Sequence, residues 1–102
     1  MRILTVPDFP GDGAVHSLAN LLGVPSNTLA RVVVLREVSG GAATSRVGDS
    51  NVSATRGVPL SANDQLVLPQ AGALYGESPL WNLSDLYIFA ATNDVLAIGY
   101  VP

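Results

Sequence analysis

The chain contains no cysteine and no lysine, a single histidine, and few charges of either sign. Without cysteine there is no disulfide, no thiolate nucleophile and no thiolate metal ligand. With one histidine, His16, a serine–histidine nucleophile or a histidine metal centre would rest on one side chain. Charged residues make up 13% of the 102, about half the usual share near 25%. The net charge of −3 gives no pull toward a polyanion such as DNA or RNA. No apolar run approaches the ~20 residues of a membrane helix, and the opening residues 1–7 are too short, and too soon broken by Pro7, for a signal peptide. The expected protein is made in the cytosol and stays soluble or is assembled there into something larger, with neither membrane nor nucleic acid as partner.

Apolar residues are plentiful, at 48%, so disorder is not expected. The length fits one domain, residues 1–102, with no room for a second core. So thin a coat of charge suggests that part of the surface faces protein rather than water. The basic residues are all arginines, Arg2, Arg31, Arg36, Arg46 and Arg56. Arginine forks onto carboxylates and is enriched at interfaces, where lysine is depleted; genomic base composition explains the same trade equally well.

Along the chain, residues 2–6 read as a short strand, ended by the turn-rich stretch 7–13. Val15, Leu18, Ala19 and Leu22 recur at helical spacing, with Asp12 as a cap and Gly23 and Pro25 as a stop, which predicts a helix of about three turns. Residues 29–38 form the strongest strand. Val33 and Leu35 lie on one face and Val32, Val34 and Val38 on the other, as suits a strand covered on both sides. Further strands are expected at 45–47, 52–55, 57–60 and 65–68, with the last two forming a hairpin. Residues 69–82 read as an irregular loop. A second hairpin is expected from 86–91 and 95–101, turning at Asn93-Asp94, with Leu86, Ile88, Leu96, Ile98 and Tyr100 largely buried. Val95, Ala97, Gly99 and Val101 then form a small, flat opposite face, suited to close approach by another sheet or chain. The pattern predicts an all-β fold: a β-sandwich or jelly-roll-like barrel of about seven or eight short antiparallel strands, with one short helix and a short N-terminal arm.

Candidate chemistry is sparse. His16 reads as a partly exposed structural residue. Most acidic residues fall in turns, where aspartate bonds its own backbone. Asp8 and Asp12, four apart in a glycine-rich loop, do not match the repeated spacing of a calcium hand. Gly11-Asp12-Gly13 lacks the third glycine, the lysine and the βαβ setting of a phosphate loop. No catalytic residue, metal site or cofactor is expected, and the chain is not expected to be an enzyme. Tyr75 and Trp81 read equally as anchors of their loop on the core or as interface contacts.

One stretch carries a resemblance. Residues 46–60 (RVGDSNVSATRGVPL), then Leu66-Val67-Leu68-Pro69, then Leu83-Ser84-Asp85-Leu86-Tyr87-Ile88 and a closing β segment, together resemble small virion proteins of tailed bacteriophages, over roughly residues 29 to 101. The resemblance implies a structural role in the virion: capsid decoration (cement) on the major capsid protein or, as the alternative, a tail, baseplate or fibre component or a host-surface binding module. It carries no catalytic residues. A small enzyme or sugar-binding domain is the third class weighed. For the cement reading a homo-oligomer, dimer or trimer, is expected, located in the virion. The contact residues expected are Arg2, Leu4, Val6 and Phe9 of an N-terminal segment free to extend, with Tyr75 and Trp81.

Overall fold

The computed structural model describes residues 2–39, 45–61, 63–68 and 80–102. They are mainly β with one short helix, arranged as antiparallel sheets in a sandwich-like fold. The five-stranded sheet runs β1 (Leu4–Thr5), β11 (Val95–Val101), β5 (Val32–Ser39) and β8 (Gln65–Leu68), with β2 (Phe9–Pro10) also pairing with β11. The four-stranded sheet runs β3 (Val15–Ser17), β10 (Tyr87–Phe89), β6 (Ser45–Gly48) and β7 (Val58–Leu60). A small third sheet pairs β4 (Leu29–Ala30) with β9 (Trp81–Asn82).

Alternation along β5 and β11 builds the core. Ile98 pairs with Leu35 and Tyr100 with Val33, and all four side chains are buried. They join Val47, Leu60 and Ile88 of the four-stranded sheet, together with Leu18, Leu22 and Leu83, in one apolar cluster. Leu86 packs against that cluster, partly buried.

Several expectations are corrected. The helix is shorter: α1 spans only Leu18–Leu22. Ser17, not Asp12, caps it, accepting a hydrogen bond from the Asn20 N–H at 3.2 Å. Val15 and His16 belong to β3, paired with Phe89 and Ile88, and Val15 is exposed. Helical spacing misled because α1 follows the strand without a break, so two periodicities run together. Residues 52–55 form a turn closed by a bridge between Ser53 and Arg56, and the chain returns along β6 only at β7. Arg46 holds this excursion, its guanidinium donating to the carbonyls of Ala54 and Gly57.

Neither expected hairpin forms. β7 lies in the four-stranded sheet and β8 in the five-stranded one; β10 and β11 are divided the same way. Each turn is a corner that crosses between sheets. The 90–94 corner is stitched to the 11–13 loop, with the Gly11 N–H donating to Asp94 O and the Gly13 N–H to Ala90 O. Only glycine fits at position 11, because a Cβ there would overlap the Ala91 carbonyl. The expected turn at Asn93-Asp94 is present, and Asn93 adopts a positive φ of 76° there, a conformation asparagine tolerates.

The N-terminal segment does not hang free. Leu4 pairs with Tyr100 and Thr5 with Gly99, and Phe9 pairs with Leu96. Between these pairs the ladder is interrupted over residues 6–8. Pro7 lies within the interruption, where the lack of an N–H costs no ladder bond.

Candidate functional site

β5 was expected to be covered on both faces; only one is. Residues paired directly across antiparallel strands share a face, so the register defines the outer surface of the five-stranded sheet. Val67, Val34, Gly99 and Thr5 form one row across four strands, and Gln65, Arg36 and Ala97 form the next. Ile3 folds over the first row, since a Cβ on Gly99 would stand 3.0 Å from its Cγ2. Ile3, Val67 and Val38 remain 55%, 45% and 44% exposed. An open depression of about 420 Å³ lies here, with Asp8 at its margin.

This surface has an apolar centre and a polar rim. Its middle is flat because Gly99 and Ala97 carry little or no side chain beside Val34. Arg36 is exposed and forms no ion pair with a described residue. An unpaired guanidinium beside an apolar stripe is a common recognition pairing, combining apolar burial with a directional carboxylate-binding fork. Arg2 and Arg31 flank a second depression with Leu4, Val101 and Pro102.

Of the expected contact residues, Arg2 is exposed. Leu4, Val6 and Phe9 are half-buried against the core. The outward residues of that segment are Ile3 and Thr5, which alternation along the strand expected at residues 2–6 sets on the face opposite Leu4. Trp81 is half-buried against the core and sits in β9, so residues 81–82 form a strand where the end of a loop was expected. Tyr75 lies outside the described residues.

The remaining candidates for chemistry are scattered. His16 Nε2 stands 2.7 Å from Asp12 Oδ2, and its ring meets Phe9 edge-on with centroids 5.5 Å apart. The His16 hydrogen bond, helped by the Ala14 N–H, holds the Asp12 carboxyl below its ordinary range. Asp8 does not join them. Among the described residues no group of three or more His, Asp or Glu side chains is placed to hold a metal ion, and no helix is long and apolar enough to cross a membrane. No protein-family model, curated protein or solved structure matches the chain.

Proposed function

We propose that this chain is a structural subunit of a tailed-phage virion, a head decoration protein seated on the assembled major capsid protein through the outer face of its five-stranded sheet. The observation that carries the reading is that face: low at Ala97, apolar at Ile3, Val34 and Val67, and edged by Arg36, which forms no ion pair with a described residue. A rigid sandwich with one open apolar sheet face is built for contact rather than turnover. A protein that binds only the assembled shell stabilises it by mass action, and many weak contacts spread over a lattice sum through avidity. The sequence resemblance to small phage virion proteins points the same way. A homo-oligomer on the shell multiplies those contacts and belongs to the same proposal.

The test is re-addition of purified protein to heads lacking it, comparing wild type with a variant of the exposed edge-strand residue, Val67→Asp. Wild type should remain with heads through sedimentation and raise their heat resistance, while the variant keeps its own melting temperature and stays in the supernatant. Wild type that ignores heads but sediments with tails would replace decoration by the tail, baseplate or fibre reading. Retention of the variant equal to wild type would remove this face from the contact.

A further inference from the structure

Glu37 points inward from β5, opposite Leu96, and is 1% exposed. Neither of its carboxyl oxygens meets a hydrogen-bond donor among the described residues. Its side chain lies within hydrogen-bonding reach of the Asp94 carboxyl, which is wholly buried. Asp94 in turn accepts a 2.6 Å bond from the Ser45 hydroxyl, which itself accepts from the Ala91 N–H at 3.1 Å. The backbone of Glu37 is tied as well, its N–H donating to Asp64 O and its carbonyl accepting from the Asn63 N–H.

The location matters more than the composition. The chain passes directly between the two large sheets from β2 to β3, from β5 to β6, from β7 to β8 and from β10 to β11. Glu37 stands near the end of β5, Ser45 begins β6, Asn63 and Asp64 form the β7–β8 corner, and Asp94 ends the β10–β11 corner. Residues flanking the last three of these crossings therefore meet around Glu37. We infer that this cluster is a proton-operated clasp between the sheets, in which Glu37 in its acid form donates to the Asp94 carboxylate and ionisation of Glu37 loosens that end of the sandwich.

The logic is one of donors. Two buried carboxyls side by side cannot both stay charged. The Ser45 hydroxyl favours the charged form of Glu37 but is outweighed by burial and by Asp94, and a protonated Glu37 becomes the donor that the pair needs. The ionisable groups acting on Glu37 are Asp94 and Asp64, both acidic. Burial first, then Asp94, push the Glu37 carboxyl up from 4.5 to about 7. A cation is the less fitting occupant, because among the described residues no group of three or more His, Asp or Glu side chains is placed to hold one.

The sign follows from which state holds the proton. The unfolded chain releases it near 4.5 and the folded chain near 7, so the stabilisation is complete below the lower value and is lost as pH rises through the upper one. A gap of that size makes the unfolding constant about 300-fold larger above the window than below it.

The experiment follows urea unfolding of the full chain from pH 4.5 to 8, for wild type and Glu37→Gln. The amide keeps the volume and the donor to Asp94 but does not titrate. Wild type should lose stability with rising pH while Glu37→Gln stays nearly level. Amide exchange at Asn63, Ala91 and Asp94, corrected for intrinsic rates, should quicken across the same window in wild type alone. If the variant does not fold, ¹³C titration of the wild-type Glu37 carboxyl decides. A midpoint near neutrality supports the clasp, and a midpoint near 4.5 overturns it. An equal pH slope in wild type and Glu37→Gln overturns it as well.

Discussion

Truncating Ile98 to alanine should remove a large part of this domain's stability, and the structure sets the size of the loss. Ile98 lies mid-strand in β11, paired with Leu35 and only 3% exposed. The substitution deletes three carbons from the core. At about 0.8 kcal/mol per methylene, lost transfer alone amounts to roughly 2.4 kcal/mol. Neighbours such as Leu35 and Tyr100 are held by strand pairing and cannot fully collapse into the gap, so a cavity contribution brings the total to about 3–4 kcal/mol. A domain of this length is stable by only about 5–15 kcal/mol. At roughly 4–8 °C per kcal/mol, the melting temperature should fall by about 12–30 °C. Thermal melts followed by circular dichroism, with urea unfolding to confirm an unchanged m-value, measure it. Ala97→Ser is the control. Its side chain faces the open surface, and it should change stability by no more than about 0.5 kcal/mol. Because strand side chains alternate, a one-residue slip would exchange the two results. A variant at 98 that melts like wild type, or a serine at 97 that costs more than alanine at 98, would refute the register.

Gly11→Ala should destabilise by about 1–3 kcal/mol or more, because the new methyl meets the Ala91 carbonyl in a corner held by backbone bonds; urea midpoints report it. Ser17→Ala should cost about 1 kcal/mol through loss of the α1 cap, with near-UV signals of the folded state retained. Deleting residues 1–7 should lower the melting point rather than leave the core untouched, since it strips β1 from β11 and uncovers Gly99; an unchanged melt would show that edge pairing contributes nothing.

What could be read from the sequence alone was whatever depends on near neighbours. Turn-rich stretches, the turn at Asn93-Asp94, and the alternation that buries Ile88, Leu96, Ile98 and Tyr100 all follow from local pattern. The all-β class followed from the spacing of those patterns. Pairing partners did not. Segments 57–60 and 65–68, like 86–91 and 95–101, have the look of hairpins, because a tight turn between two strands reads the same whether they pair or part into different sheets. The difference lies in distant contacts, such as the Gly11 N–H on Asp94 O, that no local pattern encodes. The outer face of the five-stranded sheet was half legible. Ala97 and Gly99 declared a flat surface, but only the fold decided that β5 is left uncovered on that side, since a strand apolar on both faces is equally consistent with burial and with an interface. Glu37 was legible only in direction, since alternation along the strand sets it on the face of Val33 and Leu35. Its character arises from distant contacts, because the fold buries Ser45 and Asp94 with it and sets the exposed Asp64 on its backbone.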